Sequence, residues 1–526
     1  MNHLLHHALE QHARTDGARE AFRDGKAGLS YAEAEERAGR IAAALHAGGV
    51  KRGDRVVLYM ARGVDACLAI FGILKAGAAY VPLDPQAPRR RVESILSGVE
   101  ASAVMVDSDR ARALGDLTLP ASLRIVVGAA PGQVPAGVEA LSWDAAKGWS
   151  DRFVERATTD EDLYYIIFTS GSTGAPKGIM HTHRSALAYA RWAAAEYGLQ
   201  PADRLANFSP FHFDISTFDL FAARLAGAAT VVVPQGVQMF PASCADLLER
   251  ERISVVFTVP HALQLLSNRG RLKGRDLGAL RWLIYGGEPF PPAAARALMN
   301  QLPGASLSNM YGPAEVNGVT AYHLHEAPEG SDAIPIGVPA PNVDALLLDE
   351  HGNPVGPGEP AELYIRASSR MLGYWKDLGD PERESFLDRE APGGQVQRYY
   401  RTGDIVRERS DGVLVFLGRR DQLVKVRGHR IELAEVEAAL ISHPAVEAAA
   451  AFTQRDDEGA VLLAAVENPR GAELDCSSLW KHVRSCLPPY AVPSRLEIVE
   501  VLPRTSTGKV DRPALQTAFP RQAVEA

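Results

Sequence analysis

The sequence predicts an α/β protein, with a large N-terminal domain of layered sheets and a small α+β domain at the C-terminal end. Three observations carry this expectation. Short buried-strand patterns alternate with helical patterns through most of the chain, which is the signature of α/β layers. The 526 residues are too many for one hydrophobic core. A turn-rich junction at Gly418–Asp421 sets off roughly a hundred residues, enough for a small domain.

Taken in order, Tyr31–Ala47 reads as a helix and Arg55–Tyr59 as a short buried strand. Val64–Ala76 reads as a second helix and Ser102–Val106 as a second buried strand. Asp162–Phe168 is rich in β-branched and aromatic residues and reads as a strand. A Gly/Ser/Thr loop follows it, then a helical stretch, Arg184–Tyr197, closed by Gly198. Gly412–Phe416 and Leu423–Val426 read as strands, with a turn at Gly428. Within Ile431–Ile441, Leu433, Val436, Leu440 and Ile441 share one helical face, and His443-Pro444 ends the helix. The expected domains are residues 1–420 and 421–526.

Composition removes several function classes. A net charge of −8 offers no face for neutralising a phosphate backbone, so no nucleic-acid partner is expected. The densest basic spot, Arg89–Arg91, reads as a solvated helix start. Cys67, Cys244, Cys476 and Cys486 form no CxxC pair and no zinc-ligand spacing, which points to a reduced, cytoplasmic compartment. Met1–Glu10 has no apolar core of signal-peptide length. The apolar run Cys67–Leu74 is cut by Lys75, so no membrane segment is expected.

The loop Thr169–Gly178 (TSGSTGAPKG) carries the first chemistry. Gly171 and Gly174 let the backbone turn its N–H groups inward as an anion nest. The hydroxyls of Thr169, Ser170, Ser172 and Thr173 add donors, and Lys177 adds positive charge. A polyphosphate is the natural guest. Composition alone fits a flexible surface turn equally well. The loop is not a Walker A motif, because Lys177 is followed by Gly178 rather than Ser or Thr.

Read with Phe168, this loop closely resembles the phosphate loop of the adenylate-forming superfamily: acyl-CoA synthetases, beetle luciferases and the adenylation domains of nonribosomal peptide synthesis. Further motifs occur in family order. Leu74–Pro85 (LKAGAAYVPLDP) and Phe213–Ser216 (FDIS) resemble motifs of the amino-acid-activating branch. Asn309–Glu315 (NMYGPAE) resembles the adenine and magnesium motif, and Tyr400–Asp404 (YRTGD) the ribose motif. Gly418–Gly428 resembles the hinge, and Leu487–Tyr490 and Thr505–Lys509 (TSTGK) complete the set. The resemblance covers nearly the whole chain and implies a freestanding amino-acid adenylation enzyme whose small domain is mobile.

The resemblance also implies roles. ATP and a magnesium ion would be the cofactors, with Glu315 as metal ligand. Tyr311 would pack on adenine, Asp404 would accept the ribose hydroxyls, and Asn309, Arg419, Gly287 and Glu288 would lie along the nucleotide. Lys509 would bridge the substrate carboxylate and the α-phosphate. Asp421 would be the hinge that exchanges Lys509 for a thiolation face at Lys425 and Gly428. One departure is Ala314, where the family has a threonine whose hydroxyl often donates to a phosphate.

For the substrate, the resemblance makes Asp214 the partner of an ammonium group, which acyl-CoA synthetases of plain acids usually lack. A structural loop aspartate is the bland alternative. Ile215, Phe218, Thr258, Ile284, Gly286, Met310, Gly318 and Val319 would surround the side chain, and none is charged. A small or medium neutral amino acid fits best, alanine-like first, with proline or a β-amino acid as alternatives. No carrier-domain motif follows Lys509. The expected partner is therefore a separate carrier protein whose phosphopantetheine thiol takes the acyl group. The competing readings are an acyl-CoA synthetase of a non-amino acid and a non-catalytic nucleotide-binding paralogue.

Overall fold

The computed structural model describes residues 2–25, 27–149, 157–169, 176–376, 385–420, 423–446, 448–456, 459–467, 476–504 and 510–519. The chain divides into two units. One comprises Met1–Pro85, Leu96–Phe168 and Gly178–Arg420, and the other Gln86–Ile95, Thr169–Lys177 and Asp421–Ala526. The expected α/β class is borne out.

Among the described residues the first unit holds three sheets. The largest has nine strands. Six adjacent ones run parallel: Ser306–Tyr311, Trp282–Tyr285, Val255–Thr258, Arg204–Asn207, Ala229–Val232 and Glu20–Asp24. The central strands Val255–Thr258 and Trp282–Tyr285 are short and almost wholly apolar, as strands covered on both faces must be. Alternation sends Phe257, Ile284 and Met310 into one core and Val256, Leu283 and Tyr285 into another. A second sheet of eight strands contains Arg55–Tyr59, Ala103–Val106 and Leu163–Thr169. Its far edge is Lys177–Thr182 with Gly373–Tyr374 paired antiparallel on it. The third, antiparallel sheet carries Pro360–Ala367, Val396–Glu408 and Leu414–Arg419.

Local sequence sets the helices. Ser30 opens Tyr31–Ala47 with a capping box, accepting from the Glu33 N–H while the Glu33 carboxylate accepts from the Ser30 N–H. Thr182 and Ser185 form the same device at His183–Glu196. No helix among the described residues is long and apolar enough to cross a membrane.

The other unit contains the hairpin Leu423–Val426/His429–Glu432, a three-stranded sheet and the helices Leu433–Ile441, Cys476–Cys486 and Arg512–Ala518. Leu433, Val436 and Leu440 enter its core as expected. Ile441 does not: it ends the helix and is 48% exposed. A second departure concerns the glycine-rich loop. The strand Lys177–Thr182 stands between it and the following helix, so the loop leads from strand to strand and does not open into a helix N-terminus.

Candidate active site

In open α/β sheets, ligands bind beyond the carboxyl ends of the parallel strands. Four adjacent ends of the large sheet carry most of the expected substrate and nucleotide residues. Asp214 lies in the loop after Arg204–Asn207, Thr258 ends its strand, Gly286–Glu288 follow Trp282–Tyr285, and Met310 and Tyr311 end Ser306–Tyr311. The register aligns Phe257 with Ile284 and Ile284 with Ser308, while Thr258, Tyr285 and Asn309 form the next row.

On the nucleotide side, Asp404 is buried between two donors. The Tyr311 hydroxyl donates to Oδ2 at 2.5 Å and the Arg419 guanidinium to Oδ1 at 2.5 Å. Sheet register makes the ion pair, because Asp404 lies directly opposite Arg419. The Thr402 hydroxyl accepts from the Asp404 N–H and fixes the turn. Burial, and after it the Asp404 carboxylate, hold the Tyr311 phenol well above its usual range, so it remains a donor. Each carboxylate oxygen keeps a further lone pair for a diol. Asn309 faces a structural duty: its amide donates to the Pro335 carbonyl at 2.8 Å.

Glu315 is fully buried. The Tyr374 hydroxyl donates to its Oε1 at 3.0 Å, and its own carbonyl accepts from the Met371 N–H at 2.7 Å. The preceding residue, Ala314, is held by His181, whose Nε2 lies 2.9 Å from the Ala314 carbonyl. A carbonyl only accepts, so Nε2 carries the proton and Nδ1 accepts, with Ser185 Oγ at 3.0 Å and the Asn317 amide at 3.4 Å. Burial pushes the His181 imidazole down to about 4, so the ring is neutral. Neither His181 nor Tyr374 belongs to the motifs that drew attention to Glu315. The pairing of Gly373–Tyr374 on Ile179 and Met180 delivers one, and the strand Lys177–Thr182 the other.

Among the described residues no three His, Cys, Asp or Glu side chains gather as a metal cage. One carboxylate braced by a phenol is the donor set for an ion that takes its remaining ligands from phosphate oxygens and water, as magnesium does. Glu315 therefore fits the expected ion.

The expected substrate side is apolar. Ile284, Phe218 and Val319 are fully buried, and Met310 and Thr258 nearly so. Phe218 packs edge-on against Phe257 and Tyr197, with ring centroids 5.5 and 5.7 Å away. Gly286 is required by a close approach, since a Cβ there would lie 2.6 Å from the Met310 carbonyl oxygen. Phe257 approaches the same point at 3.5 Å and shares the face of Ile284, so it joins the candidate residues on this side although the motifs did not supply it. Asp214 is partly exposed, and its Oδ1 accepts from the Ile215 N–H at 3.0 Å. Asp219 differs: it is buried, accepts from Asn207, and burial pushes it well above the usual carboxylate range.

Ser170, Gly171, Ser172, Thr173, Gly174, Asp421 and Lys509 lie outside the described residues. Thr169 and Lys177 flank the loop as strand ends. Lys425 sits opposite Arg430 in a hairpin whose turn, Arg427 and Gly428, has φ of +51° and +84°. Two consecutive positive φ values are what a two-residue hairpin turn demands.

The AMP-binding enzyme family model matches residues 9–375, and that of the AMP-binding enzyme C-terminal domain matches residues 435–509. The chain belongs to the AMP-binding enzymes. The expected membership of the adenylate-forming superfamily is thus borne out. This AMP-binding enzyme is 35% identical over 517 residues to an L-proline--[L-prolyl-carrier protein] ligase of Pseudomonas fluorescens, covering 97% of this chain and 98% of that one. It is also 35% identical to the L-proline--[L-prolyl-carrier protein] ligase of Streptomyces coelicolor, covering 95% and 93%. Among solved structures it resembles the amide bond synthetase McbA of Marinactinospora thermotolerans, with 26% identity, a TM-score of 0.85, and 98% and 99% of the two chains covered.

Proposed function

We propose that the protein is an ATP-dependent ligase that activates a small or medium neutral amino acid as its aminoacyl-AMP. It releases pyrophosphate and then passes the aminoacyl group to the phosphopantetheine thiol of a carrier protein. The observation that carries this reading is that the carboxyl rim of the large sheet bears a partly exposed aspartate, Asp214, uncharged side chains and the braced carboxylate Glu315, while Tyr311 ties that rim to Asp404 on the antiparallel sheet.

In this reading a substrate carboxylate oxygen attacks the α-phosphorus of ATP, and the bond to the pyrophosphate oxygen breaks. Both reactants are anions, so alignment and charge neutralisation are the catalytic task. Asp404, oriented by Tyr311 and Arg419, accepts the ribose hydroxyls. Glu315 would hold a magnesium ion, whose chemistry there would be to neutralise phosphate charge. Lys509 and the loop Thr169–Gly178 supply the remaining cationic and N–H donors. Asp214 pairs with the substrate ammonium, and an acid without that amine would leave the carboxylate unpaired. In the second step the thiol sulfur attacks the acyl carbonyl and AMP leaves. Rotation of residues 421–526 about Asp421 would bring the Lys425–Gly428 turn to the site.

Proline is the member of this substrate class favoured by the names of the two ligases above. Incubation with ATP, magnesium, pantetheine and single amino acids tests the whole reading. AMP, pyrophosphate and an aminoacyl-pantetheine thioester should form together, and only with a small neutral amino acid. AMP formation with fatty or aryl acids and none with amino acids would overturn it.

A further inference from the structure

Gly318 alone would open a hollow beside Met310, but the structure fills it. A Cβ at Gly318 would lie 2.6 Å from Met310 Sδ and 2.9 Å from Tyr189 Cε2, so these two side chains occupy the volume that glycine frees. Tyr189 also reaches the sulfur itself: its hydroxyl donates to Met310 Sδ at 3.5 Å. Tyr189 belongs to the helix His183–Glu196 and is buried, as is Met310. Burial, and after it the Asp214 carboxylate, hold the Tyr189 phenol well above its usual range, so it stays a neutral donor.

We infer that Tyr189 is a specificity-determining residue, which sets the longest side chain the pocket accepts by fixing Met310 over Gly318. The inference rests on the ligase reading above and narrows its substrate class. An unbranched thioether with three rotatable bonds normally yields to whatever packs on it. Here the sulfur is held between the Gly318 backbone and the Tyr189 hydroxyl, so yielding would break a buried bond. A compliant wall becomes a fixed stop. Phe218 and Phe257, locked edge-to-face, close the adjoining wall. The accepted class is then the compact neutral amino acids, proline and alanine among them, and longer aliphatic and aromatic side chains are refused. Tyr189 is a positioning residue, since it acts through Met310.

Tyr189→Phe keeps the ring and removes only the bond to sulfur. Met310→Ala removes the stop itself. Pyrophosphate exchange gives kcat/KM for proline, alanine, leucine and phenylalanine. Calorimetry gives Kd for prolyl- and leucyl-sulfamoyl adenosine. The preference for compact over long side chains should shrink about five-fold in Tyr189→Phe, the order of one neutral hydrogen bond. In Met310→Ala it should shrink ~10–100-fold, as for opening a hydrophobic pocket by a few methylenes. Proportional losses for all substrates and both adenosines, with the preference unchanged, would make Tyr189 a core residue only and overturn the inference. If the unmutated protein supports no exchange, the ligase reading falls. The two Kd values still decide the inference, which stands if their ratio shifts in both variants and fails if it does not.

Discussion

In the proposed reaction Asp404 is the residue on which nucleotide recognition turns, because two donors, Tyr311 and Arg419, fix its carboxylate. Asp404→Asn keeps the shape but removes the charge that pairs with Arg419 and strengthens acceptance from a diol. KM for ATP in pyrophosphate exchange should rise about ten-fold, the equivalent of ~1.4 kcal/mol. An unchanged KM would remove Asp404 from the nucleotide site. His181 makes a pH prediction. An unfolded imidazole titrates near 6.5, whereas burial holds the folded one near 4. Between these values the unfolded chain binds more protons, so stability is fully present above 6.5 and is lost as pH falls toward 4. His183, pushed down to about 3, adds in the same direction. The His181 share is on the order of 3 kcal/mol across that window. Urea midpoints measured from pH 7 to 4.5 should fall less steeply for His181→Gln than for the unmutated protein. Parallel slopes would contradict the assignment.

At the scale of elements, the turn Arg427-Gly428 carries the proposed thiolation face. Valine at Gly428 would meet a φ of +84°, a cost of ~1–3 kcal/mol in local strain, and would place a branched side chain on the face offered to the pantetheine arm. Gly428→Val should lower thioester formation at least ten-fold and leave pyrophosphate exchange within about two-fold. Equal loss in both would count against the face. Elements of this kind were legible in the sequence wherever the signal is local. Ser30 and Glu33 announce the helix Tyr31–Ala47, and Leu423–Val426 was readable from its own residues and the glycine after it. The strand Lys177–Thr182 was not. Its first two residues read as loop, and one of its two neighbours in the sheet, Gly373–Tyr374, lies almost two hundred residues on. The same non-local pairing hid Tyr374, and with it one of the two groups that brace Ala314 and Glu315. Phe257 and Tyr189 were hidden likewise. A phenylalanine in an apolar strand and a tyrosine in a helix look like ordinary core until register and packing set them beside Ile284 and Met310. Asp404, Tyr311, Glu315 and Asp214 could be singled out because the short motifs that hold them resemble those of the adenylate-forming superfamily.

At the scale of the whole molecule, two cores on opposite faces of one parallel sheet leave its carboxyl rim as the place where irregular backbone, charge and apolar wall can meet. The activity of the chain follows from what that rim accepts, and the account's central claim is that it accepts an amino acid by its ammonium group. The most direct measurement is ATP–pyrophosphate exchange with compact amino acids, each paired with the carboxylic acid that lacks the amine. The account predicts exchange with proline or another compact neutral amino acid, and at least ~10³-fold less kcat/KM for its amine-free counterpart, the scale of leaving a charged partner unpaired beneath a bound substrate. Comparable exchange with the amine-free acid would contradict it.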